Sequence, residues 1–154
     1  MTHLKVGDKT PDFRGPNQRG EEIGLSHFKG KKLILYFYPK DDTPGCTAES
    51  CNLNDNYNAW LEKGFEVVGV SPDDVKSHMK FAKKFGLNFN LIADTEKEIL
   101  QRYGVWGEKS MFGKKYMGVL RTTFVINENG VIEAIFEKVK TDDHTRQIEK
   151  TLNI

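Results

Sequence analysis

The chain has little net charge, few cysteines and no long apolar run, and each shortage excludes something. Lysine plus arginine (23) nearly cancel aspartate plus glutamate (22), leaving a formal charge of +1. Neither nucleic acid nor an anionic membrane is therefore an expected partner, and a small molecule or another protein is. No stretch approaches the roughly 20 apolar residues that span a bilayer. The start, Met1-Thr2-His3-Leu4-Lys5-Val6-Gly7-Asp8, lacks the apolar centre of a signal peptide. These features predict a soluble, cytoplasmic protein. The four histidines, His3, His27, His78 and His144, are scattered singly and read as surface residues. With only two cysteines, a closed zinc site needs two further ligands that no paired histidine spacing supplies, so no metal is expected.

At 154 residues the chain is the size of one domain able to bury a core without disulfides, and no linker or repeat divides residues 1–154. Residues 12–25, around Arg19-Gly20, read as an N-terminal hairpin. Leu33-Ile34-Leu35-Tyr36-Phe37-Tyr38 is a continuous apolar and aromatic run, as in a central strand covered on both faces. A helix is expected from Pro44 to about residue 61, with Thr43 as N-cap and Pro44 in the first turn. Phe65–Val70 is a second strand. Ser71-Pro72-Asp73-Asp74 caps a helix with Val75, Met79, Phe81, Ala82 and Phe85 on its apolar face. Asp94-Thr95-Glu96 opens a shorter helix through Tyr103, followed by a loop rich in glycine and lysine. Thr122–Ile126 and Val131–Phe136 form a hairpin around Asn129-Gly130, and Thr141-Asp142-Asp143 caps a last helix. Parallel strand–helix units followed by a hairpin predict an α/β fold with a central mixed sheet flanked by helices, compatible with a thioredoxin-like arrangement.

Chemistry concentrates in Pro39-Lys40-Asp41-Asp42-Thr43-Pro44-Gly45-Cys46-Thr47-Ala48-Glu49-Ser50-Cys51. Cys46 falls in the first turn of a helix after a buried strand, where free amides and the positive end of the dipole stabilise a thiolate. Thr43 can cap those amides and offer a hydroxyl to an oxygen substrate, while Pro44 and Gly45 shape a close turn. Five residues along a regular helix, Cys51 sits roughly 8 to 9 Å from Cys46 between Cα atoms, beyond the disulfide range of about 4.4 to 6.8 Å. A bridge between them requires the helix to unwind, which suits a transient catalytic disulfide better than a permanent staple. Asp41 and Asp42 read as a solvated loop face, and Tyr36, Phe37, Tyr38, Phe81 and Phe85 as core.

Pro39, Thr43 and Cys46 reproduce the Pro-x-x-x-Thr-x-x-Cys signature of peroxiredoxins, and Thr-Pro-Gly-Cys-Thr-x-Glu-x-Cys resembles their Q branch, also called bacterioferritin comigratory protein. Gly7-Asp8-Lys9-Thr10-Pro11-Asp12-Phe13, Val68-Gly69-Val70-Ser71 and Tyr103-Gly104-Val105-Trp106-Gly107-Glu108-Lys109 are similar to that branch too. The resemblance implies a thioredoxin-like fold and a thiol peroxidase acting on hydrogen peroxide and organic hydroperoxides in antioxidant defence. Cys46 is then peroxidatic and Cys51 resolving through a Cys46–Cys51 disulfide. Thr43 and Arg121 position the substrate, with Pro39 and Gly45 shaping the pocket. A thioredoxin-type dithiol is the implied reductant, without metal, flavin or haem, and a resolving cysteine in the same chain removes any need for a dimer. Two departures are Cys51-Asn52-Leu53-Asn54-Asp55, where the branch has Cys-x-Phe-Arg-Asp, and Ile126-Asn127 in place of Ile-Asp. Among rival readings, a cysteine hydrolase lacks a local histidine motif, a dithiol oxidoreductase lacks Cys-x-x-Cys, and a thioredoxin-like binding module without turnover is separated by a peroxide-consumption assay.

Overall fold

A computed structural model describes residues 1–154. The N-terminal hairpin joins β1 (Arg14–Pro16) to β2 (Glu22–Gly24). Its turn is built by Asn17, whose side-chain oxygen accepts the Arg19 and Glu21 amides at 2.9 and 3.0 Å. After a 3-10 turn come β3 (Lys32–Phe37), α1 (Pro44–Asp55), α2 (Tyr57–Glu62), β4 (Phe65–Ser71), α3 (Val75–Phe85) and β5 (Asn90–Ala93). Then follow α4 (Glu98–Arg102), β6 (Trp106–Met111), β7 (Lys114–Val119), β8 (Thr122–Ile126), β9 (Ile132–Phe136) and α5 (His144–Leu152).

Five strands form the central sheet in the order β5-β4-β3-β8-β9. β3, β4 and β5 run parallel, while β8 is antiparallel to β3 and β9 to β8. The sheet is mixed and helix-flanked, as expected, with the apolar run of β3 at its centre. Alternation along β3 splits the core in two. Ile34, Tyr36 and Tyr38 face Leu53, Trp60, Phe81 and Ile148 from the helices on one side. Leu33, Leu35 and Phe37 face Phe13, Phe28, Ile99, Leu100 and Tyr103 on the other.

The structure corrects several local expectations. The helix from Pro44 does not run to residue 61 but breaks at Asn56, whose side-chain amide donates to the Asn52 carbonyl at 2.8 Å and competes for the acceptor that the next helical turn needs. β5 was not foreseen. The glycine- and lysine-rich loop is the β6–β7 hairpin, closed by Phe112 and Gly113 at φ 52° and 79°. That two-residue turn normally uses Asn-Gly or Asp-Gly, so Phe-Gly gave no signal. The short helix begins at Glu98 rather than Asp94, and Asp94 instead accepts the Leu100 amide at 2.8 Å. On α3, Met79 is 51% exposed, and buried His78 takes the stripe with Phe81 and Ala82.

Candidate active site

β3 ends at Phe37, and the chain crosses Pro39–Thr43 into α1. Because β8 runs antiparallel to β3 with Thr122 opposite Phe37, the residue preceding β8, Arg121, lies beside this crossing. One nitrogen of its guanidinium, Nη2, donates to Cys46 Sγ at 3.3 Å, and the other, Nη1, donates to Glu49 Oε1 at 2.7 Å. Cys46 is 1% exposed and Glu49 fully buried. Glu49 follows Cys46 by three residues, so both side chains share the inner face of α1. Burial works against the charge of Arg121, but Glu49 and Cys46 outweigh it and hold its pKa above the ordinary value.

Gly45 lets the guanidinium lie against the helix start: a Cβ there would stand 3.3 Å from Arg121 Nη2. Thr43 occupies the N-cap position but does not cap, contrary to expectation. Its hydroxyl donates to the Lys40 carbonyl at 2.8 Å, leaving its lone pairs available to accept from a ligand. The first backbone bond into the turn comes from Thr47, to Thr43 O at 2.8 Å, so the Gly45 and Cys46 amides ahead of it remain open to an anion. Pro39 is half-buried just past β3. Arg121, Gly45 and Cys46 are thus brought together, with Thr43 at the head of the same helix.

Sequence reasoning missed Glu49 and Lys109. Burial pushes the Glu49 carboxyl up to about 7, against the pull of Arg121, and its second oxygen, Oε2, has no hydrogen-bond partner. His144 Nε2 lies 3.8 Å from it. His144 is fully buried, not a surface residue as expected. Burial pushes it down to about 4, Gln147 opposing and Arg121 adding to the effect, so it is neutral. Its Nδ1 donates to Gln147 Oε1 at 2.9 Å, and its Nε2 accepts from the Thr123 hydroxyl at 2.8 Å. Lys109 donates to Val119 O at 2.9 Å. Its pKa is lowered by burial and by Arg121, with Cys46 pulling the other way, so it adds a second cation to the surroundings of the sulfur.

Asp41 is not the solvated residue that the sequence suggested, although Asp42 is exposed. Asp41 Oδ1 accepts the Tyr38 hydroxyl at 2.7 Å, and Oδ2 accepts the Ser77 hydroxyl at 2.8 Å and His78 Nδ1 at 2.7 Å. Its amide donates to Asp73 Oδ2 at 2.8 Å, and His78 Nε2 donates to Ile92 O at 3.0 Å. These buried hydrogen bonds tie the crossing before Cys46 to α3. Asp41, Asp73 and His78 bring metal-ligating atoms together, and both Asp41 oxygens and both His78 nitrogens are hydrogen-bonded within the chain.

Both cysteines are free thiols. Cys51 is half-buried, and its pKa is raised by burial and by Asp55. α1 runs unbroken through both, so the two Cα atoms keep the helical separation of roughly 8 to 9 Å.

Residues 6–135 match the model of the AhpC/TSA family. The chain is 48% identical to a putative peroxiredoxin bcp of Coxiella burnetii over 145 residues, covering 94% of this chain and 96% of that one. It is 43% identical to peroxiredoxin Bcp of Escherichia coli, covering 94% and 92%. Among solved structures, a mutant PrxQ of Xylella fastidiosa superposes with a TM-score of 0.92 at 30% identity, covering 99% of this chain and 98% of that one. The bacterioferritin comigratory protein of Xanthomonas campestris, described for its alkyl peroxide reduction activity, gives 0.87 at 33% identity, covering 99% and 98%.

Proposed function

Because the chain belongs to the AhpC/TSA family, within its Bcp and PrxQ peroxiredoxins, we propose that Cys46 is the peroxidatic nucleophile and Cys51 its resolving partner. The protein is a thiol-dependent peroxidase. The observation that carries the assignment of roles is the Arg121 Nη2 donor 3.3 Å from Cys46 Sγ at an uncapped helix start, an arrangement that favours negative charge on sulfur.

The Cys46 thiolate attacks the terminal oxygen of a hydroperoxide. The S–O bond forms as the O–O bond breaks, and the leaving oxygen departs as water or an alcohol after taking a proton, leaving a sulfenic acid on Cys46. The Thr43 hydroxyl oxygen accepts a hydrogen bond from the O–H of the incoming hydroperoxide. Arg121 and the open amides of Gly45 and Cys46 stabilise charge that develops on the oxygens. Pro39 shields one side of the pocket. Cys51 then attacks the sulfenic sulfur, expelling water and closing the disulfide, and a thioredoxin-type dithiol reduces it through a mixed disulfide.

Hydrogen peroxide and organic hydroperoxides are the substrates we assign, the second supported by the alkyl peroxide reduction named for the Xanthomonas relative. No helix is long and apolar enough to cross a membrane. We place the protein in the cytoplasm as a monomer without nucleic-acid or membrane partners, the bacterial relatives supporting the compartment. Steady-state turnover of several hydroperoxides with a thioredoxin-type reductant tests the reading. Wild type should consume peroxide catalytically, and Cys46→Ser should not; retained turnover in that variant removes Cys46 from the role.

A further inference from the structure

The residue after Cys51 is fastened to a different helix. Asn52 Oδ1 accepts the backbone amide of Thr145 at 2.8 Å, and Asn52 Nδ2 donates to the Asp142 carbonyl at 3.4 Å. The Thr145 hydroxyl reaches back to the Asn52 carbonyl at 3.5 Å and accepts from the Trp60 indole at 3.2 Å. The helix so engaged, α5, has Asp143 at its own N-cap position, but the Asp143 side chain makes no capping bond. An orphan amide in the first turn of α5 therefore takes its acceptor from α1, 93 residues earlier in the chain, in the role an N-cap side chain normally plays.

This bond bears on the second half of the reaction, and its meaning rests on the two-cysteine reading above. With α1 intact the cysteines are too far apart to bridge, so the turn carrying Cys51 must leave its helical place before its sulfur reaches the Cys46 sulfenic acid. We infer that Asn52 is a positioning residue for the resolving step: its bond to the Thr145 amide latches the Cys51 turn to α5, and release of that latch limits how fast the disulfide closes. The other ties on α1 divide around it. Before Cys51, Glu49 is held by Arg121 at 2.7 Å and Ser50 shares a hydrogen bond with Tyr36 at 2.7 Å, which keeps Cys46 in its attacking geometry. Beyond it, Asn54 donates to Gly86 O and accepts the Asn88 amide, both at 2.9 Å. That bridge fixes the following turn and bounds the segment that unwinds. A slow latch also prolongs the life of the sulfenic acid, giving a second peroxide time to carry it to sulfinic acid.

Stopped-flow tryptophan fluorescence tests the latch, because the Trp60 indole is part of it. A peroxide-dependent phase reports attack, and a peroxide-independent phase reports resolution. In Asn52→Ala the second phase should run roughly fivefold faster, the factor that loss of one helix cap corresponds to, with the first phase unmoved. At high peroxide the fraction of sulfinic acid found by mass spectrometry should fall accordingly. Asn52→Asp, which keeps the acceptor oxygen, should hold the second phase near that of the wild type. An unchanged or slower second phase in Asn52→Ala, or equal acceleration in both variants, overturns the inference. Absence of the peroxide-dependent phase in the wild type itself overturns the peroxidatic reading along with it, so the two failures are told apart.

Discussion

Glu49 presents one carboxylate oxygen to Arg121 Nη1 at 2.7 Å, while its other oxygen is buried without a hydrogen-bond partner. The same guanidinium directs its second nitrogen at Cys46, so the charge on Glu49 bears on both folding and the reactive sulfur. The folded chain raises the Glu49 carboxyl from 4.5 to about 7. It binds that proton more tightly than the unfolded chain, so this contribution to stability is full below pH 4.5 and is lost as pH rises through about 7, by about 3 kcal/mol. His144 acts in the opposite sense. Lowered from 6.5 to about 4, it contributes stability that is present above pH 6.5 and lost as pH falls through about 4. The two slopes offset each other between them. Urea unfolding of Glu49→Gln from pH 4 to 7 should therefore show stability rising with pH more steeply than in the wild type. Parallel curves for the two proteins contradict the assignment.

Replacing Arg121 by Ala should slow the peroxide-dependent phase by roughly 10²- to 10³-fold, the usual cost of one preorganised donor to developing charge. Arg121→Lys should recover only part of it, because an ammonium donates from a single nitrogen and cannot reach Glu49 and Cys46 from the two separate positions that Nη1 and Nη2 occupy. Stopped-flow rates against peroxide concentration measure both, and a wild-type rate in Arg121→Ala takes the arginine out of the site.

Gly45→Ala sets two effects against each other. Alanine favours the helix, while its Cβ would stand 3.3 Å from Arg121 Nη2 and press the guanidinium away from the sulfur. The expected result is unimpaired thermal stability with peroxide attack slowed by about tenfold, on the scale that small misplacements of catalytic groups cost. Full activity in this variant means that Arg121 gives way freely.

Asp41→Ala removes the acceptor that Tyr38, Ser77 and His78 share, which costs about 1 to 3 kcal/mol for each buried donor left unpaired. Urea unfolding checks the loss. Peroxide attack should slow in the same variant, since Asp41 holds the crossing that delivers Thr43 and Cys46. A change below about 1 kcal/mol, the scale of exposed pairs, contradicts a structural role for this contact.

The β3 run, the N-terminal hairpin and the β8–β9 hairpin were legible because periodicity and turn residues signal them directly. Cys46, Cys51, Thr43 and Arg121 were legible through motif and resemblance, and the β3–β8 register explains physically why an arginine 75 residues from Cys46 lies beside it. Asp41, His78 and His144 were misread because polar residues are usually exposed, and only tertiary partners distant in sequence reveal that these are satisfied inside. Glu49 carried a usable signal, one turn after Cys46 on the same helix face, but its orphan oxygen and its altered protonation exist only once α5 packs beside it. The β6–β7 hairpin was hidden by a Phe-Gly turn, and the break in the first long helix by Asn56, whose side chain reaches back to Asn52.

Mass spectrometry of variants treated with one equivalent of peroxide in the presence of a dimedone-type trap tests the division of labour between the two cysteines most directly. Cys51→Ser should carry the trapped sulfenic acid on Cys46 and pass to sulfinic acid when peroxide is in excess. Wild type should instead lose two hydrogens as the 46–51 disulfide forms, with a drop in helical circular dichroism as α1 unwinds. Cys46→Ser should give neither adduct nor turnover. A sulfenic acid trapped on Cys51 in Cys46→Ser, with peroxide still consumed, would reverse the roles and contradict the account.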